Sequence, residues 1–211
     1  MGKNLARWAP LTGVVFAVLV VAAVFAGNTP DSDASAQHAV SSFVSNRTDD
    51  RVTIFLIAYA TVFAMFFAAA LCSYLKTRSE GDGLITLGYS GMLIYVVGAL
   101  TLVGTEFAAT DVPGKISPAA EQALNVLQND LFFALLIGAG IFLIGNGLAI
   151  VANAALPKWL GWIAVPLAVI AVTPLGWFVA LFALPIWAVI VGVLMFIRQD
   201  APAPAAAPVT G

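Results

Sequence analysis

Three places in the chain hold side chains able to do chemistry. Gly88-Tyr89-Ser90-Gly91 sets a hydroxyl between glycines, Asn129-Asp130 sets an amide beside a carboxylate, and Glu106 follows an apolar run. A serine is a weak nucleophile unless a neighbouring base takes its proton. The single histidine, His38, falls in a polar loop, and no lysine lies inside an apolar run. Ser90 is therefore expected to bond a carbonyl of its own helix. One histidine cannot ligate a haem from both sides or build a multi-histidine metal site. A metal set of His38, Asp31 and Asp33 is conceivable, but a solvated loop is the simpler expectation. The single Cys72 excludes an intrachain disulfide and a cysteine-cluster metal site, and it is expected as a small apolar filler. No P-loop, dinucleotide-binding glycine pattern or HExxH occurs. The expectation is a protein without enzymatic activity and without a cofactor.

Polar groups inside apolar runs carry more weight, because they are costly in lipid and usually functional. The run "LNVLQNDLFFALLIGAGIFLIGNGLAIVANAAL", 124–156, begins polar and turns apolar. On a helical wheel, Asn125, Gln128, Asn146 and Asn153 fall within an arc of about 80°, with Asn129 at its edge. That stripe is expected to face protein or a water-filled crevice. Asp130 lies on the opposite side with Val126, Ile137 and Ile141. An interfacial ion pair between Asp130 and Arg51 is expected there. The other reading makes Asp130 a substrate- or proton-binding carboxylate, acting with Asn146 and Glu106.

The elements that position these groups follow from composition. Of 211 residues, 61% are hydrophobic and only 9% are charged. Soluble domains carry roughly 25% charged residues, and a chain of this size cannot bury so much apolar surface in one aqueous core. The class is an all-α integral membrane protein. A formal charge of -2 with no basic stripe speaks against a nucleic-acid partner.

A membrane helix needs about 20 mainly apolar residues. Spans are expected at 8–27, 52–75, 84–103 and 131–152. The first also resembles a cleavable signal segment, with Val24-Phe25-Ala26 as the cleavage site, and is taken as retained. The block 159–197 has no charge and would be about 58 Å long as one helix, nearly twice the hydrocarbon thickness. Thr173-Pro174-Leu175-Gly176 marks a turn within it, giving spans at 159–173 and 175–197. The expected fold is a bundle of six membrane helices at 1–198, followed by a disordered Pro/Ala-rich tail at 199–211.

Lysine and arginine set the orientation. Lys3, Arg7, Lys76, Arg78, Lys158 and Arg198 fall on one side, and Arg47, Arg51 and Lys115 on the other. Both termini are therefore expected in the cytoplasm, at a bacterial plasma membrane. In the first outer loop, Asp33 is expected to cap a short helix with Ala36, Ala39, Val40, Phe43 and Val44 on one apolar face. Ser117-Pro118 is a helix start.

Close helix contact in lipid needs small residues. Ala60, Ala64 and Ala68 repeat every four residues, and Gly91 and Gly98, like Gly138 and Gly145, every seven. Spans two to four are expected to form the tight core. Pro166 and Pro185 are expected to kink the last two spans.

The stretches "LNVLQNDLFF", "GNGLAIV", "ALPKWLGWIAV" and "TPLGWF" resemble a group of multi-pass bacterial membrane proteins of actinobacterial type, marked by NDxFF and LPxWLGW patterns. The likeness covers 124–197, and it implies a membrane fold without implying an activity. Gly88 to Gly91 also resembles the Gly-x-Ser-Gly of rhomboid proteases. Those enzymes need a histidine from another membrane helix, which this chain lacks. The leading expectation is a non-enzymatic subunit or accessory of a larger membrane assembly, with the lipid bilayer and other membrane proteins, or further copies of itself, as partners. The alternative is a small-solute or proton-coupled transporter with a polar site near Asp130, Asn146 and Glu106. A lipid-binding protein would need a deep lateral cleft.

Overall fold

The computed structural model describes residues 7–27, 29–79, 81–111 and 113–198. Lys3 and the tail at 199–211 lie outside the described residues, so its expected disorder has no counterpart below. Every described element is helical. A 3-10 turn, Ala9–Leu11, leads into α1 (Thr12–Ala26). Then come α2 (Ala36–Ser45), α3 (Arg47–Lys76), α4 (Gly83–Asp111), α5 (Pro118–Asp130), α6 (Phe132–Asn153) and α7 (Lys158–Ala171). The last helix, α8, spans Gly176–Arg198.

Among the described residues, five stretches are long and apolar enough to cross a membrane: Ala9–Ala26, Arg47–Lys76, Gly83–Asp111, Pro118–Asn153 and Gly176–Arg198. The sixth expected span is α7, which has only 14 residues. At 1.5 Å per residue it rises about 21 Å, short of a ~30 Å hydrocarbon layer. The turn expected at 173–176 is present: Thr173 Oγ1 donates to the Ile170 carbonyl at 2.7 Å, and the Gly176 N–H donates to the Thr173 carbonyl at 2.8 Å.

Successive helices of the bundle alternate in direction, with the short α7 running back between α6 and α8, which point the same way. One end of the bundle gathers Arg7, Lys76, Arg78, Lys158 and Arg198, and the other carries α2, α5 and most of the acids. The two ends are called basic and acidic below.

The tightest seam joins α4 to α6. A Cβ on Gly91 would collide with the backbone of Ile141 and Phe142, and one on Gly98 with Ala134 and Leu135. Reciprocally, a Cβ on Gly138 would collide with the Tyr95 backbone, and one on Gly145 with Gly88. Each step down one helix is matched by a step up the other, as an antiparallel crossing requires. The seven-residue spacing returns a glycine to the seam every second turn, so the backbones touch where side chains normally hold them apart. Ala60, Ala64 and Ala68 are buried along α3. A second seam joins α6 to α7, with Gly140 against the Ala168 carbonyl and Gly147 against Ala164.

Proline shapes α8. Pro185 has no N–H, and its ring crowds the carbonyl four residues earlier. The preceding segment, Val179–Ala183, widens to a π-helix, with the Leu184 N–H bonding the Val179 carbonyl. Pro166 lies inside α7, which remains one continuous helix. Trp187 then ties α8 to α7, its Nε1 donating to the Leu160 carbonyl at 3.1 Å.

At the acidic end, Ser35 and not Asp33 caps α2, accepting from the His38 N–H at 3.3 Å. A serine cap works equally well because its hydroxyl reaches the same free N–H groups. Ala39 and Phe43 are fully buried against Ala109 and Leu124, so α2 rests on the protein. Ser117 caps α5, accepting from the Ala120 N–H at 3.3 Å. The link from α5 to α6 is a single residue, Leu131, whose N–H still bonds the Leu127 carbonyl at 2.9 Å.

Candidate functional site

A cavity of about 450 Å³ lies between α1, α3, α4, the α5–α6 link and α8. Phe16, Val20, Ala60, Leu135 and Leu181 give it apolar walls. Thr53, Glu106 and Gln128 bring polar atoms to its acidic end, and the exposed Thr29, Asn129 and Trp177 rim it. Cavities of roughly 300–1,000 Å³ with mostly apolar walls and a few convergent polar groups are the usual form of a small-molecule site.

Local sequence explains the void. α1 and α3 meet through small residues, Ala23 and Ala60, which leave room between Phe16 and Thr53. Tyr95 projects from the α4 seam, and its Oη donates to the Ala180 carbonyl at 3.4 Å. That carbonyl belongs to the π segment. The phenol ring is held edge-on to Phe16, with centroids 6.1 Å apart. The site thus draws on two features that serve packing, the glycine seam and the proline-induced π turn.

Three of the polar residues lining the cavity are buried, and each has an oxygen without a partner within the protein. Glu106 is 4% exposed, Thr53 6% and Gln128 8%. Glu106 Oε1, Thr53 Oγ1 and Gln128 Oε1 make no hydrogen bond. A buried polar atom left unpaired costs about 1–3 kcal/mol; Glu121 and Asn125, which do not line the void, hold such atoms at the acidic end too. Asp50 is a further buried acid whose field reaches Glu106.

The expected site residues do not come together. Glu106 lines the cavity, Asp130 is exposed on the far side of α5, and Asn146 is buried in the α4–α6 seam. Asn146 Nδ2 donates to the Phe142 carbonyl at 2.9 Å, one turn back in its own helix. Asn153 does the same to Ala149 at 3.0 Å. The amide stripe is therefore divided. Asn125 and Gln128 serve the acidic end, where Asn125 Nδ2 holds the Asp31 carbonyl at 2.8 Å. The pair expected between Asp130 and Arg51 is not formed. Arg51 reaches Asp111 at 3.4 Å, with Arg47 on the same carboxylate at 3.8 Å. Asp111 ends α4, which runs past its apolar stretch and carries the carboxylate to Arg51 first.

His38 is exposed, and the described residues contain no cluster of three metal-ligating side chains. Ser90 Oγ donates to the Thr86 carbonyl at 2.9 Å, as expected for a serine bonded within its own helix. Thr53 is the cavity residue with no signal in the sequence, since one more hydroxyl on an apolar helix marks no position. No family model, curated protein or solved structure matches the chain.

Proposed function

We propose that the chain is a six-span protein of the bacterial plasma membrane, with both termini cytoplasmic, that binds and carries a small solute without catalysis. The observation behind this reading is the set of buried, unpartnered oxygens of Glu106, Gln128 and Thr53 around one cavity. The six-span topology draws on the basic residues at both edges of α7 and α8: with α7 as a full crossing, Lys158 and Arg198 share one side. The likeness to actinobacterial membrane proteins agrees with that location.

The accessory-subunit expectation drew on small-residue seams. Those seams join helices of the same chain, α4 to α6 and α6 to α7. They leave the cavity as the feature that calls for a function.

The test is a thermal-shift panel of small amphipathic solutes on the purified protein in nanodiscs. Solutes that raise the melting temperature of the native chain, but not of a Val24→Trp variant with the cavity filled, support the reading. Absence of stabilisation by cationic, neutral and anionic solutes alike overturns it. Flux in proteoliposomes then separates a carrier from a static binder.

A further inference from the structure

We infer that the solute is a protonated amine on an apolar body. This rests on the cavity reading above and adds the chemical class. Three residues that line the void, Glu106, Gln128 and Thr53, each hold a buried oxygen without a partner, and Glu106 is the one acid among the lining residues described. An ammonium group donates three hydrogen bonds, and a hydroxyl donates one. Among the described residues, no lysine or arginine lines the cavity. The cations of this end, Arg47, Arg51 and Lys115, all gather on Asp111. An anionic headgroup would meet a buried carboxylate with nothing to balance it.

The walls favour the same class. Phe16, Tyr95 and Trp177 present aromatic rings to the void, and ring faces attract a cation that has left water. Val20, Leu135 and Leu181 line the remainder with aliphatic surface. The ammonium therefore seats at the acidic end between Glu106, Gln128 and Thr53, and its apolar body lies toward Phe16 and Leu181. A free alkylamine and the ammonium of a phosphatidylethanolamine headgroup share this chemistry.

The test uses the full chain in nanodiscs of phosphatidylcholine and phosphatidylglycerol, which bring no primary amine. Octylamine, octanol and octanoate are titrated against tryptophan fluorescence, with Val24→Trp as the blocked control. Octylamine is expected to bind at least roughly tenfold tighter than octanol, since a charge-assisted hydrogen bond contributes more than 1.4 kcal/mol, a factor of ten. Octanoate is expected not to saturate. Glu106→Gln is expected to remove the amine's advantage over octanol. Should Glu106→Gln fail to fold, Gln128→Leu makes the same discrimination. Octanol or octanoate binding as tightly as octylamine, or an amine affinity indifferent to both variants, overturns the amine assignment and leaves the cavity reading standing. Saturation by none of the probes overturns both. Phosphatidylethanolamine added to the discs distinguishes the sources: displacement of octylamine assigns the lipid headgroup, and retention assigns a free amine.

Discussion

A side chain on Gly88 would begin 2.7 Å from the amide carbon of Asn146, so the two positions share one space at the α4–α6 crossing. The Asn146 amide is turned onto its own helix and stands clear of the cavity. Asn146→Leu is therefore expected to leave solute binding unchanged. It removes one buried hydrogen bond, a loss of about 0.5–1.5 kcal/mol. Parallel melting curves and binding titrations check this, and a binding loss without a stability loss would contradict the assignment.

Gly91 and Gly104 lie on the same helix in opposite circumstances. A methyl at Gly91 runs into the Ile141 and Phe142 backbone, and one at Gly104 meets nothing within 4 Å. Gly91→Ala is expected to destabilise by about 1–3 kcal/mol or more, because backbone cannot step aside as a side chain can. Gly104→Ala is expected to be neutral or stabilising, by up to ~1 kcal/mol of helix propensity. Melting temperature in detergent reads both, and equal effects would remove the seam as the cause.

Asp111 accepts from Arg47, Arg51 and Lys115, yet both ends of its ion pairs are about half exposed. Exposed pairs contribute roughly 0–1 kcal/mol and fade with salt. Asp111→Asn is expected to shift stability within that range, and the shift should vanish near 1 M salt. Asp130→Asn should do nothing, since the carboxylate is exposed and the arginines lie elsewhere. A larger effect at Asp130 than at Asp111 in unfolding titrations would reverse this assignment.

Val24 lines the cavity and is only partly buried, so a larger side chain there has room to turn inward. Val24→Trp is expected to lower probe affinity at least roughly tenfold, the equivalent of about 1.4 kcal/mol. Melting temperature should hold or rise, because the void is filled without moving backbone. Retained affinity, measured by titration, would place the solute elsewhere.

Much of the architecture was legible because apolar run length and glycine period are one-dimensional signals. Gly91, Gly98, Gly138 and Gly145 stand out by spacing alone, and all four lie at one crossing. The Thr173 turn was legible from proline and glycine. The site was legible only in part. Glu106 stood out as an acid beside an apolar run, but nothing in the sequence distinguished it from Asp130. The difference is three-dimensional: Glu106 faces α1 and α3 across a void, and Asp130 turns outward from α5. Asn146 lies apart from the cavity, and its amide has a partner in its own helix. An amide buried in a helix can satisfy its donor on the preceding turn, so depth alone does not make it functional. The π segment could not be read from Pro185, because a proline can equally produce a plain kink.

The shortness of α7 bears on the surrounding lipid. A 14-residue helix cannot match the thickness that its neighbours span. Bilayers answer such mismatch by thinning locally. If α7 crosses as proposed, lipid beside the turn at 173–176 would dip, and Trp177, on the rim of the cavity, would stand next to that depression. Acyl chains and hydrophobic solutes pooled in the leaflet would then meet the rim sideways, without first passing through water. Under the proposed topology, a hairpin too short for its membrane would open a doorway from the lipid phase.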